Sequence, residues 1–308
     1  EAMIVTALFI DANESLAVIV ERLHAPGDPP LRINRNPDIT SDDIPTLLDG
    51  ADTVIIDHTE LPTEVARRCN DLKHVVFLGT GARSYMNPEE LASLGIEVRT
   101  IKGYGDTAVA ECAIALMWEA ARGLAQMDRG IRAGNWLRDD GMQLTGKTLG
   151  LIGFGGIAEE VARIASGSGM RVLAWNRTAK THDGVNFVGL DELLAQSDVV
   201  SLHLLLTDET RGFLSRQRIA AMKRGAILIN TARGALVDEA AMIDALRSGQ
   251  LRHAGLDVFV TEPLPQDHAL TTLPNVTLSA HSAFRTPEAS ENLIAAAIQH
   301  CREIAAGK

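Results

Sequence analysis

The sequence is poor in several features that mark specialised protein classes. Its 308 residues include three cysteines, Cys69, Cys112 and Cys301, which form no CxxC pair and no spacing typical of metal ligands. No apolar stretch reaches the roughly 18 uncharged residues that a transmembrane helix needs, and no basic segment followed by an apolar run marks a signal peptide. We therefore expect a cytoplasmic protein with reduced thiols, no bound metal and no membrane partner.

Aromatic residues and positive charge are also scarce. Aromatic side chains make up 4% of the chain, so the core must consist mainly of Ala, Val, Ile and Leu. The formal net charge is −11, which argues against a nucleic-acid partner, because phosphate backbones are bound by clustered Lys and Arg. A hydrophobic fraction of 46% is typical of a globular protein, and a length of 308 residues suggests about two domains.

Short apolar runs alternate with helical patterns along the chain, which predicts parallel sheets covered by helices on both faces. In the first hundred residues the predicted strands are 4–10, 53–57, 75–78 and 96–101, and the predicted helices are 44–48, 64–69 and 88–94. The strands of a second series are 149–152, 172–175, 199–202, 227–230, 255–258 and 276–278. A long Ala-rich helix is predicted over 107–134, and a final amphipathic helix over 287–306.

A Gly-rich turn follows the first strand of the second series. The segment Gly153-Phe154-Gly155-Gly156-Ile157-Ala158 joins an apolar strand to a helix, which is the context that a dinucleotide-binding fingerprint requires. Gly153 permits the tight turn, Gly155 lets the backbone approach the pyrophosphate, and Ala158 is small enough for the helix to pack on the strand. The helix N-terminus then directs free N–H groups and its positive dipole at the phosphates. The alternative is an ordinary Gly-rich turn between a strand and a helix.

The end of the next strand bears on the choice of cofactor. NAD sites usually place an acidic residue here, where it binds the ribose 2′-OH. This chain has Asn176-Arg177-Thr178 instead, and these residues offer hydrogen bonds to a 2′-phosphate that an acid would repel. The sequence thus predicts that NADP(H) is preferred over NAD(H). The alternative is that Arg177 is a solvated surface residue and Asn176 binds the 2′-OH.

Three residues have side chains suited to acid–base chemistry on an anionic substrate. Arg233 directly follows an apolar strand, at the end where open α/β sheets bind ligands, and its planar guanidinium matches a carboxylate. His281 also follows an apolar strand, and the unperturbed pKa of histidine, ~6.5, suits proton transfer near neutral pH. Glu262 lies between them and would orient the imidazole and favour its protonated form. The alternatives are a surface arginine and a structural histidine.

Taken together, these segments resemble the D-isomer-specific 2-hydroxyacid dehydrogenase family. The matching segments are 107–111, the Gly-rich turn, 230–239, 254–259, Glu262-Pro263 and Ala280-His281. The resemblance covers nearly the whole chain, and the intervals from Arg233 to Glu262 and from Glu262 to His281 are normal for the family. It implies two doubly wound parallel-sheet domains: a flavodoxin-like substrate domain, 1–101 plus 282–308, and a Rossmann-like cofactor domain, 102–281. It also implies substrate binding in the cleft between domains and a homodimer with most contacts in the helical segment 107–134.

The resemblance further implies the roles of individual residues. Arg233, Glu262 and His281 would be catalytic, and Thr80 and Gly81 would bind the substrate together with Arg233 and His281. Asp257 would orient the nicotinamide carboxamide, with a turn cap as the alternative. The other expected cofactor contacts are Gly153, Gly155, Gly156, Ile157, Asn176, Arg177, Thr178, Leu204, Leu205, Thr210, Thr231 and Ala232.

Two positions depart from the family pattern. Arg83 stands where the family often has Asp; it either favours a substrate with a second anionic group or points outward. Leu205 stands where the family commonly has Pro, which leaves the shape of that loop open.

These features predict an enzyme that transfers a hydride between NADPH and a small 2-oxo acid. Glyoxylate and hydroxypyruvate are the expected kind of substrate, and the product would be the D-2-hydroxy acid. The alternative from another class is a cofactor-sensing binding protein on a dehydrogenase fold, because fold alone does not fix function. Formate or phosphite oxidation has no positive sign in the sequence. The identity of the 2-oxo acid and the physiological direction are left open.

Overall fold

The computed structural model describes residues 6–308, so residues 4 and 5 of the first predicted strand lie outside the described part. The chain divides into two compact units, one that runs to Gly105 and includes Arg285–Lys308, and one that comprises Asp106–Phe284. The α-helices of the described part are α1 Glu14–Leu23, α2 Ile44–Leu48, α3 Thr63–Ala66, α4 Pro88–Ser93, α5 Asp106–Arg122, α6 Leu124–Arg132, α7 Gly156–Gly167, α8 Leu190–Gln196, α9 Arg216–Ala221, α10 Glu239–Ser248 and α11 Pro287–Ala305. Among these residues, no helix combines the length and apolar character that crossing a bilayer requires.

The first unit is built on a parallel sheet in the order β2-β1-β3-β4-β5. Its strands are β1 Ala7–Phe9, β2 Leu31–Ile33, β3 Thr53–Ile56, β4 His74–Phe77 and β5 Glu97–Thr100. Leu293 and Ile298 of α11 are buried with Leu16 and Val20 of α1 and with Phe9 of β1. This strand order is that of flavodoxin, so the predicted fold of this unit is confirmed.

The second unit contains a parallel sheet in the order β12-β11-β10-β9-β6-β7-β8. Its strands are β6 Thr148–Ile152, β7 Arg171–Trp175, β8 Val185–Phe187, β9 Val199–Leu202, β10 Ala226–Asn230, β11 Leu251–Leu256 and β12 Val276–Leu278. The connections reverse direction at the pair β6 and β9, which is the ligand-binding switch point of the Rossmann arrangement. The predicted Rossmann-like fold is therefore confirmed.

The predicted single helix over 107–134 is wrong, because the chain breaks at Gly123 into α5 and α6. Gly123 has φ +62, in the left-handed region that L side chains rarely adopt, and its N–H donates to the carbonyl oxygen of Glu119 at 2.7 Å. A Cβ at this position would lie 2.5 Å from a carboxylate oxygen of Asp139. The helical periodicity of the sequence continues across Gly123, so the break depends on a glycine that the pattern does not mark as an end.

The strand predicted at 255–258 begins and ends earlier, at Leu251–Leu256. Polar residues in its first half hide the apolar pattern. His253 is nonetheless buried, because its Nε2 lies 2.8 Å from Oγ1 of Thr277 and also near the Glu119 carboxylate. Asp257 therefore lies just beyond the strand, in the connection that follows it.

Candidate active site

The predicted site residues of the second unit gather at one edge of its sheet. Because the strands are parallel, the segments that follow them emerge on the same side. The Gly-rich turn follows β6 and Asn176 follows β7, while His203 follows β9. Arg233, Glu262 and His281 follow β10, β11 and β12, which are neighbouring strands. Residues far apart in the sequence thus occupy a single edge.

His281 and Glu262 form a close pair. Nδ1 of His281 lies 2.6 Å from Oε2 of Glu262, and Oε1 of Glu262 accepts a hydrogen bond from the Phe259 N–H at 2.8 Å. The backbone of His281 has φ +46, an uncommon left-handed conformation, and its N–H donates to the carbonyl oxygen of Asp257 at 2.8 Å. Within residues 6–308, Nε2 has no hydrogen-bond partner, and the side chain is 38% exposed. One ring nitrogen is held by a carboxylate and the other is available.

Arg233 is presented by a turn that Asn230 stabilises. The Asn230 side chain is buried; it donates to the carbonyl oxygen of Arg233 at 2.9 Å and accepts from the Ala232 N–H at 3.0 Å. The side chain of the partly buried Arg233 makes a single hydrogen bond among the described residues, from Nη1 to the carbonyl oxygen of Ala232 at 2.7 Å. Its remaining donors can therefore bind an anion. Sequence reasoning did not assign a role to Asn230, although its place at a strand end was visible.

Gly234 explains how the Arg233 turn approaches the Glu262 segment. A Cβ at Gly234 would overlap the backbone of Phe259. Because Gly234 has no side chain, the connection after β10 can lie against the connection after β11. That second connection contains Phe259, whose N–H donates to Glu262.

Asp257 is fully buried and holds the connection that carries His281. Its Oδ1 accepts from Oγ of Ser279 at 2.6 Å and from the Ser282 N–H at 3.0 Å, while Oδ2 accepts from the Ala283 N–H at 3.0 Å. These are the contacts of a turn cap, the alternative that the sequence left open. A contact from Asp257 to the nicotinamide carboxamide stays a prediction.

The Gly-rich turn has the geometry that a dinucleotide fingerprint needs. Gly153 has φ +89, and a Cβ there would overlap the carbonyl oxygen of His203. Gly155 precedes α7 without a capping side chain, and a Cβ on it would meet nothing within 4 Å. The space in front of the helix N-terminus is thus open for a phosphate. Ala158 is fully buried in the helix–sheet core, as expected for the third small position.

Gly156 serves a different purpose from Gly153. A Cβ on Gly156 would overlap the carboxylate of Asp106, the first residue of α5. Burial and the nearby charges of Glu159 and Glu160 raise the pKa of Asp106 above its usual value. The small residue at 156 therefore lets α5 pack against α7, while Ile157 packs partly buried on the same core.

The segment after β7 is bound to the Gly-rich turn. Oδ1 of Asn176 accepts from the Phe154 N–H at 3.2 Å, and Nδ2 donates to the carbonyl oxygen of Thr178 at 2.8 Å. Arg177 is exposed and pairs with Glu209 at 3.4 Å. Nζ of Lys180, which the sequence reasoning did not single out, donates to the carbonyl oxygen of Phe154 at 2.7 Å.

The predicted cofactor residues after β9 and β10 fall into two groups. Thr210 closes its own loop, since Oγ1 donates to the carbonyl oxygen of Leu205 at 2.6 Å and accepts from the Thr207 N–H at 2.7 Å. Leu205, which stands where the family commonly has Pro, is 76% exposed in this loop. Near the strand ends, Nδ1 of His203 and Oγ1 of Thr231 are buried and have no partner among the described residues. Burial lowers the pKa of His203 to about 4, so its ring is neutral near pH 7. Leu204 and Ala232 are partly buried and pack against the hydrophobic core of the second unit.

In the first unit, Thr80 and Gly81 follow β4. Their backbone N–H groups make no hydrogen bond within residues 6–308, so both can donate to an anion. Arg83 is exposed and its guanidinium is held by the Glu89 carboxylate, with one contact at 2.9 Å. This pairing favours the outward-facing alternative for Arg83.

The neighbouring strand end of the first unit contains a polar cluster that the sequence reasoning did not identify. The fully buried Asp11 accepts hydrogen bonds from the N–H groups of Asp57, His58 and Thr59 at 2.8–2.9 Å. The hydrogen bond to Asp57 raises the pKa of His58 to about 9, against the effect of burial, and the charge of Asp11 adds to the increase. These contacts fix the connection that follows β3.

A metal site needs a particular arrangement of His, Cys, Asp or Glu side chains around the ion. Within the part of the chain that the structure describes, no group of three or more His, Cys, Asp or Glu side chains is placed to hold an ion. The nitrogen and carboxylate pairs described above are bonded to each other or to the backbone.

Comparisons with known proteins agree with this geometry. The family model of the D-isomer specific 2-hydroxyacid dehydrogenase NAD-binding domain matches residues 114–283. A hydroxypyruvate reductase of Blautia hydrogenotrophica is 34% identical over 268 residues, which cover 83% of both chains. A glyoxylate reductase of Aeropyrum pernix is 41% identical over 223 residues, which cover 66% of this chain and 67% of that protein. An acyclic imino acid reductase, solved with NADPH and D-Arg, has a TM-score of 0.85 and 28% identity, and the match covers 98% of both chains.

The parallel sheets and the Gly-rich turn are those of a dinucleotide-binding α/β protein. With the matched family model and these relatives, the chain belongs to the D-isomer specific 2-hydroxyacid dehydrogenase family. It is an NAD(P)-dependent enzyme that acts on the CH–OH group of donors.

Proposed function

We propose that this enzyme reduces a small 2-oxo acid to the D-2-hydroxy acid and prefers NADPH. The observation that carries the proposal is the His281–Glu262 pair at 2.6 Å, which leaves Nε2 of His281 free at the sheet edge that also holds Arg233 and the Gly-rich turn. The hydroxypyruvate and glyoxylate reductases among the relatives support a substrate of two or three carbons.

His281 is the proposed proton donor. When bound, the nicotinamide cofactor supplies the hydride that reduces C2 of the substrate. Nε2 of His281 donates a proton to the oxygen that becomes the hydroxyl group, and in the reverse direction it accepts that proton. Glu262 accepts a hydrogen bond from Nδ1 and stabilises the charged ring, and the Phe259 N–H keeps Glu262 in place.

Arg233 is the proposed binding residue for the substrate carboxylate. Its unpaired guanidinium donors can form the paired hydrogen bonds that a carboxylate accepts, and its charge stabilises negative charge that develops on the carbonyl oxygen. Thr80 and Gly81 remain proposed substrate-binding residues of the first unit, because their backbone N–H groups are free to donate.

The residues around the Gly-rich turn fit a dinucleotide. The uncapped N-terminus of α7 and the open space at Gly155 suit the pyrophosphate, with Gly153, Gly156 and Ile157 shaping the turn. Nδ1 of His203 and Oγ1 of Thr231 are buried without a partner in residues 6–308, as expected where a ligand completes the hydrogen bonding. Leu204, Leu205, Thr210, Ala232 and Asp257 would line the rest of the cofactor site. No acid follows β7, so Asn176, Arg177 and Thr178 support the preference for NADPH over NADH.

We also propose a homodimer and a cytoplasmic location. Trp118, Leu124, Ile131, Trp136 and Leu137 are all exposed apolar side chains within a short stretch that includes α6. Such a set on a surface is typical of a protein–protein contact. The three cysteines are unpaired in the structure, which agrees with a reducing compartment.

The proposal is tested by initial rates of absorbance loss at 340 nm. NADPH and NADH are each assayed with glyoxylate, hydroxypyruvate, pyruvate and phenylpyruvate. We expect turnover with the smaller 2-oxo acids and a higher kcat/KM for NADPH. A preference for NADH would remove the argument from residues 176–178 but keep the reaction. Tight cofactor binding with no turnover of any 2-oxo acid would contradict the proposed function.

A further inference from the structure

The backbone of Phe154 is bound at both its N–H and its carbonyl oxygen by the segment that follows β7. Its N–H donates to Oδ1 of Asn176 at 3.2 Å, and its carbonyl oxygen accepts from Nζ of Lys180 at 2.7 Å. The Phe154 ring is buried and packs edge-to-face on Phe187 at 5.0 Å. Phe154 lies between Gly153 and Gly155, so this segment is fixed to the turn that would hold the pyrophosphate.

These bonds change which side chains can bind a 2′-phosphate. Both ends of the Asn176 amide are already engaged, by the Phe154 N–H and by the Thr178 carbonyl oxygen. The ammonium of Lys180 has three donors, and the bond to Phe154 uses one of them. Arg177 presents a second cation from the same segment, paired weakly with the exposed Glu209.

We propose that Lys180 is a cofactor-specificity residue that binds the 2′-phosphate of NADPH together with Arg177, and that Glu209 competes with this phosphate for Arg177. The proposal rests on the proposed NADPH preference and names the residues that produce it. The Phe154 carbonyl holds the Lys180 ammonium beside the turn, and a phosphate can accept its remaining donors. An ammonium is a point charge, which suits a phosphate oxygen in any orientation. Asn176 then positions the turn through its bonds to Phe154 and Thr178.

Binding of cofactor fragments tests this assignment without turnover. Dissociation constants of adenosine 2′,5′-bisphosphate and of AMP are measured by calorimetry, and those of NADPH and NADH by protein fluorescence. We expect Lys180→Met to weaken the bisphosphate and NADPH by about tenfold, and AMP and NADH by less than about twofold, because one charged hydrogen bond is lost. Lys180→Arg should keep most of the affinity. Glu209→Gln should strengthen NADPH binding by about two- to fivefold, as expected for release of an exposed ion pair.

Arg224→Gln provides the matched control, since it removes one exposed positive charge elsewhere in the unit. Arg224 precedes β10, so it lies at the end of the sheet where the strands begin, and the Gly-rich turn lies where they end. An equal loss for all four ligands in Lys180→Met would mean that Lys180 only shapes the turn, and would overturn the proposal. The same result in Arg224→Gln as in Lys180→Met would also overturn it, because total charge would then explain the effect. If the unaltered protein binds the bisphosphate no better than AMP, the proposed NADPH preference is wrong. If the unaltered protein does prefer the bisphosphate and Lys180→Met keeps this preference, only the role proposed for Lys180 is wrong.

Discussion

The imidazole of His281 has one nitrogen held by Glu262 and the other without a hydrogen-bond partner in residues 6–308, so its removal should affect the chemical step more than binding. We expect His281→Ala to lower kcat by about 10²- to 10⁴-fold, the usual contribution of one general acid–base residue, with the Kd of NADPH changed by less than about twofold. Glu262→Gln should lower kcat less, because the amide can still contact the ring but lacks the charge that stabilises its protonated form. Steady-state rates and cofactor titration measure both quantities.

A second histidine–carboxylate pair in the same unit controls for this prediction. Nε2 of His268 lies 3.1 Å from Oε1 of Glu239, and these side chains are 23% and 25% exposed, against 38% and 34% for His281 and Glu262. His268→Ala and Glu239→Gln should leave kcat nearly unchanged. If His281→Ala retained a normal kcat, or if the His268 variant lost as much, the role assigned to His281 would be rejected.

Among the elements, the break between α5 and α6 depends on Gly123. An L side chain in the left-handed region costs about 1–2 kcal/mol, and at Gly123 a Cβ would also crowd the Asp139 carboxylate at 2.5 Å. We expect Gly123→Ala to lower the free energy of unfolding by about 2–3 kcal/mol. Gly134→Ala is the control, since Gly134 also has a positive φ, +80, but open space around its Cβ position. The free energy of unfolding is measured in urea. An equal decrease in both variants would show that crowding against Asp139 does not contribute to the effect at Gly123.

Prediction of the elements from sequence succeeded where a short apolar run stands out from its neighbours. The fully buried Val199–Leu202 and the edge strand Val276–Leu278 both have the predicted bounds. Edge strands β2 and β8 were missed, since each has three residues and includes an exposed polar one, Arg32 or Asn186. The early start of β11 was missed because His253 is buried by partners on two other elements, which a local pattern cannot show.

At the scale of the whole molecule, the exposed apolar side chains around α6 predict self-association. Ile131 is 55% exposed, and a charge placed in an apolar contact would lose its hydration. We expect size-exclusion chromatography with light scattering to show a dimer, and Ile131→Glu to shift it toward the monomer by at least about tenfold in Kd, with a corresponding dependence on protein concentration. Val18→Glu is the control, because Val18 of α1 is similarly exposed, at 50%, and should leave the dimer intact. A monomer at all concentrations of the unaltered protein would contradict the prediction.

The sequence alone determined the fold class, the dinucleotide turn and the reaction class. The fold class and the turn follow from local rules: strands alternating with helices produce parallel sheets, and glycine permits the left-handed turn at 153. The reaction class follows from the resemblance of the segments with Arg233, Glu262 and His281 to those of a known family. Only the tertiary structure decided the partners of these residues: Asp257 caps the turn of His281, Glu89 holds Arg83, and Lys180 reaches Phe154. The physical reason is that hydrogen bonds and ion pairs form between groups brought close by packing, and one sequence does not show which distant groups will meet.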